Sequence, residues 1–443
     1  MKEVEQLASY VVNKDFSDLS QQEIAALKIR ILDSLGCAYG ALGADVIRRI
    51  HEQVVEFGFG GHCKLIGGDR SSPDRAALYN SALVRYLDFN DSFLAKHETC
   101  HPSDTISGVL AAAEYAKCSG KELLSALAIS YQVQCRLSEC APVRRKGFDH
   151  TTQGAYGVAA GCAKALSLDS DRTAHAISIA AVGNVALRVT RTGALSHWKG
   201  LAFPNTAFLA THNVFLAMRG ITGPLEIFEG NKGFKESISG PFSIDWSSEG
   251  TDAVLRTIIK KYNAEIHSQS ALEAIIHFCK ERKVTGDMIE RIDVAIFDVA
   301  FHIIGGGEEG DKTQIQTKEQ ADHSLQYMMA VAILDGTVGP EQYLPERICK
   351  SDVQNLLRRI QIKASPAYSA RFPNEMPVSI TIHLKDGSKA SVEHTDYEGF
   401  FTRPLTWEQA LEKFDKLAPG RRNVADAIAN LEVLSVADIT DLL

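Results

Sequence analysis

Five side chains able to move protons or bind a metal crowd into one short stretch. Between Leu87 and Ser103 the chain reads Leu-Asp-Phe-Asn-Asp-Ser-Phe-Leu-Ala-Lys-His-Glu-Thr-Cys-His-Pro-Ser, which places Asp88, Asp91, His97, Glu98 and His101 within fourteen residues. A helix start is expected near Pro102 to Thr105, and the dipole at a helix N-terminus disfavours a protonated histidine. A neutral histidine there can accept a proton. The alternative is a polar loop stitched by a local Asp–His hydrogen bond. His97-Glu-Thr-Cys-His101 also matches the H-E-x-x-H zinc-protease pattern, which sets two histidines one helical turn apart with the Glu as base. Pro102 biases His101 away from helical geometry, and apolar periodicity through 92–101 is poor, so a zinc site is not expected.

A second group runs from Arg144-Arg-Lys-Gly-Phe-Asp-His150 through Arg188 and Arg191 to His197-Trp-Lys-Gly200. Residues 141–200 carry eight Lys/Arg against three Asp, a window of +5 in a chain of −8. Such a run is either a solvated face or a pocket for a polycarboxylate, because each carboxylate leaving water needs charge-assisted hydrogen bonds. A third group comprises Lys260-Lys-Tyr-Asn-Ala-Glu-Ile-His-Ser-Gln-Ser270 and Ala321-Asp-His-Ser-Leu-Gln-Tyr327. Each sets a histidine beside hydroxyl or amide groups at an expected helix start, where anions bind and where Ser268 or Asp322 would serve as N-cap. Neither G-x-G-x-x-G opening a helix after a strand nor G-x-x-x-x-G-K-[ST] occurs, and no G-x-S-x-G elbow is present, so those routes to nucleotide binding and acyl transfer are not indicated.

The elements that must position these groups are mostly helical. Ser20-Gln-Gln-Glu23 is a capping box, followed by Ile24, Leu27, Ile31 and Leu35 at helical spacing, a stripe that Gly36 closes or interrupts. Similar periodicity covers 104–118, 121–138, 154–167, 171–185 and 205–219, with Ala/Gly clusters that allow close helix packing. After residue 285 the period changes to two, at Ile292/Val294/Ile296 and Val378/Ile380/Ile382/Leu384, and Asp386-Gly387 predicts a hairpin into 390–394. Helical stretches at 319–335 and 351–359 lie between, and Thr406-Trp-Glu-Gln409 opens a return to helix. The economical reading is mainly α: a large helical domain from both chain ends, 1–264 and 399–443, with a smaller α+β lid domain inserted at 265–398. An interdomain cleft would suit a small ligand.

The net charge of −8 argues against nucleic acid as a partner. No run of about 18 apolar residues offers a membrane span, and the first residues lack the character of a signal or transit peptide, so a cytoplasmic protein is expected. Nine scattered cysteines without a C-x-x-C pair read as free thiols in a reducing compartment.

Taken in order, Leu87-Asp-Phe-Asn-Asp91 with His101-Pro102, Gly147-Phe-Asp-His150-Thr, Trp198-Lys199-Gly200, Ala264-Glu-Ile-His-Ser-Gln-Ser-Ala-Leu-Glu273 and Ala321-Asp-His-Ser-Leu-Gln-Tyr327 running into Leu334-Asp-Gly336 resemble the MmgE/PrpD family. The match spans nearly the whole chain. The family includes 2-methylcitrate dehydratases, cis-aconitate decarboxylases and an iminodisuccinate epimerase. The resemblance implies a helical domain plus a lid, a homodimer, no metal or organic cofactor, and an active site in the interdomain cleft. Carried over by position, its active-site groups are Asp91, His101, His150, Lys199, His267 and Tyr327. Position 95, a hydroxyl side chain in decarboxylase-like members, is Ala here.

The expected reaction is proton removal beside a carboxylate, which needs fixed cations for the developing charge and a tuned acid and base. On this reading Lys199, helped by Arg144 or Lys146, clamps carboxylates. His101, oriented by Asp91, is the base, and His150 or Tyr327 protonates the departing hydroxyl, the two roles being exchangeable. Asn90, His267, Gln269 and His323 complete the substrate-binding set. The expected activity is dehydration of a hydroxy-tricarboxylate, 2-methylcitrate first. A decarboxylase or epimerase on a related acid comes second, and a non-catalytic helical binding protein third.

Overall fold

A computed structural model of the chain describes residues 1–58, 60–193, 195–308 and 310–443. Its contacts divide into two compact units. The first comprises Met1–Arg191, His197–Ile259 and Leu405–Leu443; the second comprises Thr192–Ser196 and Lys260–Pro404. The fold is mainly α, and the helical unit draws on both chain ends.

The first unit contains α1 (Glu3–Asn13), α2 (Gln21–Ala41), α3 (Asp45–Gly58), α4 (Pro73–Tyr86), α5 (Ile106–Ala116), α6 (Gly120–Cys140), α7 (Thr151–Ala165), α8 (Ser170–Gly183) and α9 (Trp198–Met218). Two short hairpins interrupt them, β1 (Cys63–Lys64) with β2 (Arg70–Ser71) and β3 (Phe93–Leu94) with β4 (Thr99–Cys100). Ser20 caps α2 as its spacing predicts: its hydroxyl accepts the Glu23 N–H at 3.3 Å while the Glu23 carboxylate accepts the Ser20 N–H at 2.8 Å. Such a cap contributes about 1 kcal/mol. Gly36 does not interrupt α2, because it gives way to Phe414: a Cβ there would lie 3.2 Å from that ring. Helix α9 begins seven residues before the expected 205, carrying Pro204 inside it. A proline marks a start only if the residues before it cannot be helical, and Trp198 to Phe203 can.

Helix α7 is nearly all buried and packs against α5, α6, α8 and α9. Its glycines set how closely those neighbours approach. A Cβ on Gly161 would fall 2.5 Å from Val109 Cγ2 and 2.8 Å from Ser130 Cβ; one on Gly154 would fall 2.3 Å from the Phe203 ring. The C-terminal return is tied in by charge as well as packing. Lys413, on the helix Trp407–Leu417, donates to the Phe89 carbonyl at 2.8 Å and pairs with Asp33 of α2 at 2.7 Å. It therefore pins the segment that runs on into Asn90 and Asp91.

The second unit holds a four-stranded sheet of order β6-β5-β7-β8. Its strands are β5 (Ile289–Ile296), β6 (Ile360–Ala364), β7 (Val378–Leu384) and β8 (Lys389–His394). β5 and β6 are parallel, and the other neighbours are antiparallel. Ile292, Val294 and Ile296 of β5 and Val378, Ile380 and Ile382 of β7 are buried as their alternation predicts. Helix α10 (Gln269–Arg282) packs on β7 and β8. Strand β6 escapes the sequence reading because only Ile360 and Ile362 alternate, directly behind a helical stretch ending at Leu357. The expected helix at 319–335 is two helices, Lys318–Ala321 and Leu325–Asp335, parted where Ser324 accepts the Tyr327 N–H at 3.0 Å. Ser324, rather than Asp322, is thus the cap there; Ser268 does hold the N-cap position of α10 but without a side-chain cap bond, and Glu265 caps the 3-10 turn Ile266–Ser268 before it. No helix among the described residues is long and apolar enough to cross a membrane.

Gly161→Ala should lower the stability of the chain by roughly 1–3 kcal/mol in urea unfolding, because the methyl overpacks the seam of α5, α6 and α7. Gly200→Ala, whose Cβ would meet nothing within 4 Å, should leave stability equal or slightly raised. Equal effects of the two substitutions would contradict the close-packing account.

Candidate active site

The functional cluster of the helical unit begins where α4 ends. Asp88 adopts a left-handed backbone with φ 52°, and its N–H returns to the Arg85 carbonyl at 3.0 Å. This tight turn folds its carboxylate back onto Arg85 at 2.6 Å, and Lys199 Nζ lies 3.5 Å from the other oxygen. Asn90 extends the chain of contacts. Its carbonyl oxygen accepts from Arg85 at 3.1 Å, while its Nδ2 donates to Ser103 Oγ at 2.9 Å and Asp104 Oδ1 at 2.8 Å. All of these side chains are buried, so every charge among them needs a partner. Burial pushes the Asp104 carboxyl up to about 7; Arg85 opposes that rise and Asp91 adds to it.

His101 follows β4 and begins the 3-10 turn Pro102–Thr105. Its Nδ1 lies 2.8 Å from the Asp91 carbonyl oxygen and 3.0 Å from Ser92 Oγ. A carbonyl can only accept, so Nδ1 carries a proton. Asp91 thus holds His101 through its backbone carbonyl rather than its carboxylate. The Asp91 carboxylate instead accepts the Ser103 N–H at 3.0 Å and the Tyr131 hydroxyl at 2.9 Å. Burial raises its pKa, and those two hydrogen bonds oppose the rise.

His150 precedes α7, with its Nδ1 3.1 Å from Asp149 Oδ1. Asp149 is buried, which favours its neutral form. Arg191 at 2.7 Å, together with His150 and the Thr151 N–H at 3.1 Å, outweighs that and holds the carboxyl well below its usual range. The imidazole moves in the same direction for another reason. Burial brings its pKa down to about 3, Asp149 opposing while Arg191, Arg85 and Arg188 reinforce the fall. The pair is thus a neutral histidine against an ionised aspartate, and among the described residues the buried His150 Nε2 has no hydrogen-bond partner. The rings of His101 and His150 meet edge to face with centroids 5.4 Å apart. Arg191 also donates to the Lys199 carbonyl at 2.9 Å, coupling the start of α9 to Asp149.

The H-E-x-x-H pattern is not helical. It spans the β3–β4 hairpin, with Phe93 opposite Cys100 and the Ala95 N–H closing on the Glu98 carbonyl at 2.9 Å. His97 is exposed in the turn, whereas Glu98 is buried. The remaining basic candidates differ from Lys199. Arg144 opens the 3-10 turn Arg144–Lys146 with a half-buried side chain, and exposed Lys146 donates to the Ser239 carbonyl.

The other expected site residues belong to the second unit. His267 is buried against Phe297 and Phe372, its Nδ1 2.7 Å from Glu265 and its Nε2 without a hydrogen-bond partner among the described residues. Glu265 is buried too, but His267, His323 and Lys260 draw its carboxyl down to about 2. His323 Nδ1 contacts Asp322 at 2.5 Å. Two further expected residues are bonded within the protein. The Gln269 carboxamide accepts from the Lys261 and Tyr262 N–H groups and donates to the Tyr262 and Ala264 carbonyls, which shapes that loop. Tyr327 is fully buried with its hydroxyl given to the Gln342 carbonyl, and burial raises its pKa far beyond that of a ready acid.

The sequence reading did not single out Arg85, Ser92, Asp104 or Tyr131. Arg85 and Asp88 at spacing three across a helix end were the available signal. Ser103, Asp104 and Tyr131 are ordinary residues made important by what the chain returns to them.

Comparison with known proteins agrees with this arrangement of the chain. Residues 5–247 match the MmgE/PrpD N-terminal domain and residues 262–437 the MmgE/PrpD C-terminal domain. A 2-methylcitrate dehydratase from Salmonella typhi is 27% identical over 88% of this chain and 83% of its own length. A cis-aconitate decarboxylase from Mus musculus is 25% identical over 93% of this chain and 85% of its own. A mitochondrial 2-methylcitrate dehydratase from Yarrowia lipolytica is 26% identical over 87% and 78%. With both halves of the chain matched in order, the protein belongs to the MmgE/PrpD family.

Proposed function

We propose that the chain is a hydro-lyase that dehydrates a hydroxy-tricarboxylate without an added cofactor, with 2-methylcitrate to 2-methyl-cis-aconitate as the leading reaction. The observation that carries this reading is the pair of facing histidines beside the Lys199–Asp88 contact. His150 is kept neutral with an unpartnered Nε2, and His101 is held by a carbonyl that tolerates either charge state of the ring. The name of the Salmonella typhi relative, a 2-methylcitrate dehydratase, supports dehydration, and that of the Mus musculus relative, a cis-aconitate decarboxylase, supports the second reading.

In this reading the Lys199 ammonium, 3.5 Å from Asp88 Oδ2, takes a substrate carboxylate and steadies the enolate-like charge. His150 Nε2 removes the proton from the carbon beside a carboxylate. The C–O bond on the neighbouring carbon breaks, and His101 in its protonated form delivers the Nε2 proton to the departing hydroxyl, so that water leaves. The roles are therefore exchanged relative to the first expectation, because burial among three arginines prevents His150 from storing a proton. Asp149 stabilises the imidazolium only as it forms. The substrate-binding roles of Arg144, Lys146, His267 and His323 remain part of the proposal, whereas Asn90, Asp91, Gln269 and Tyr327, whose side chains bond within the protein, act on the fold around them.

Replacing His101 or His150 by Ala should lower kcat by roughly 10²–10⁴ while the chain stays folded; near-normal turnover in either variant would remove it from the mechanism. The pH profile follows from the sign of the shift. A base with a pKa of about 3 stays unprotonated throughout the neutral range, so kcat/KM should not fall between pH 7 and 5 on its account. An acid limb centred near the ordinary histidine value of about 6.5 that disappears in the His150 variant would reverse the assignment.

Substrate choice can be read from the absorbance of the conjugated double bond. The signal should grow with methylcitrate. Loss of cis-aconitate with gas release would replace dehydration by decarboxylation, for which Ala95 supplies no hydroxyl. Silence on methylcitrate, citrate and cis-aconitate would shift the reading toward an epimerase or a binding protein.

A homodimer is part of the same proposal. Val182, Val185, Leu187, Val189 and Trp198 of the helical unit are 44–70% exposed, an apolar stretch that a second copy would cover. Light scattering should give twice 48.4 kDa, and Leu187→Glu with Val189→Glu should shift the mass toward one chain. A wild-type mass of one chain would overturn it.

A further inference from the structure

Glu98, the middle residue of the H-E-x-x-H pattern, is absorbed by neither the zinc reading nor the mechanism. It is buried, and a single carboxylate oxygen accepts two backbone N–H groups, those of Val143 and Arg144, at 2.9 Å each. These two segments lie 45 residues apart in the chain. On one side the bond holds the β3–β4 hairpin, whose turn is closed by the Ala95 N–H on the Glu98 carbonyl, and His101 follows three residues later. On the other side Val143 starts a short constrained run into His150. The Lys146 and Phe148 N–H groups return to the Val143 carbonyl, and the Asp149 N–H bonds Ala186 at 2.9 Å. Bonds from a carboxylate to backbone N–H groups are among the stronger ones available, and a buried pair of donors left without an acceptor is costly.

We propose that Glu98 is a positioning residue that sets the separation of the His101 and His150 rings by stapling the hairpin carrying one to the turn leading to the other. The functional part rests on the two-histidine reading above; the geometric part does not. The Glu98 bonds tie these two segments directly, backbone to side chain, and side chains in a reacting pair must be held to a fraction of an ångström. The sequence coincidence with a zinc motif thus has another physical content: the glutamate faces backbone amides, and its two flanking histidines diverge, one into solvent and one into the site.

Crystal structures of the Glu98→Ala and Glu98→Gln chains test the geometry. Alanine removes the acceptor, and the ring centroids should move apart by about 1 Å with a shift of residues 143–150. Glutamine keeps a carbonyl oxygen able to accept both N–H groups and should retain the 5.4 Å spacing. Unmoved rings in Glu98→Ala overturn the proposal whatever the substrate is. Kinetics give the second arm. Glu98→Ala should lower kcat roughly 100-fold with little change in KM, Glu98→Gln should restore it, and Glu98→Ala should cost little further in a His150→Ala background. An additive loss in that background would mean general destabilisation and would also overturn the staple. Should His101→Ala and His150→Ala both prove active, the two-histidine mechanism fails while the structural arm still decides the staple.

Discussion

Charge withdrawn from water governs this helical unit. Arg85, Asp88, Asn90, Asp104, Asp149 and Lys199 are all buried, and an isolated ion in such surroundings would neutralise or pull water in. The chain solves this by setting each carboxylate between donors: Asp88 between Lys199 and Arg85, and Asp149 between Arg191 and the neutral His150. Each such setting fixes a geometry, because a carboxylate shared between two donors has few places to sit. The left-handed Asp88, the interruption after α4 and the position of α9 then read as the backbone conditions under which those contacts can be met.

Hydrogen bonding holds the polar groups of each unit in place. In the helical unit the Asp91 carboxylate accepts from Ser103 and Tyr131; in the second unit Gln269 bonds to backbone and the Tyr327 hydroxyl donates to Gln342. Among the described residues, His150 and His267 each keep one buried nitrogen without a hydrogen-bond partner, and in both the other nitrogen lies against a carboxylate. That fixes the ring and its tautomer while leaving the second nitrogen a place to act.

Much of the architecture could be read from the chain because it rests on local rules. The Ser20 and Thr406 capping boxes, the change of period after residue 285 and the Asp386-Gly387 hairpin all depend on neighbours within a few positions. What stayed hidden depends on distant partners. Gly36 continues its helix because of Phe414, and β6 is a strand because β5 lies beside it. In the site, His101, His150 and Lys199 were legible from type and context. That Asp91 would act through its carbonyl, or Tyr327 be spent on Gln342, was not, since type does not say which atom a residue will use.

The split make-up of the helical unit bears on how the chain is made. Synthesis delivers the first 259 residues, then the whole of the second unit, and only then Leu405–Leu443. Until that last piece emerges, Asp33 has no Lys413, the Phe89 carbonyl no ammonium, and Gly36 no aromatic ring to receive. The second unit, contiguous but for Thr192–Ser196, can complete its sheet earlier. Closure of the helical unit must wait on contacts more than 300 residues apart, and such long-range closure is slow. The growing chain therefore carries an open apolar seam along α2 through most of its synthesis, a state in which aggregation competes with folding.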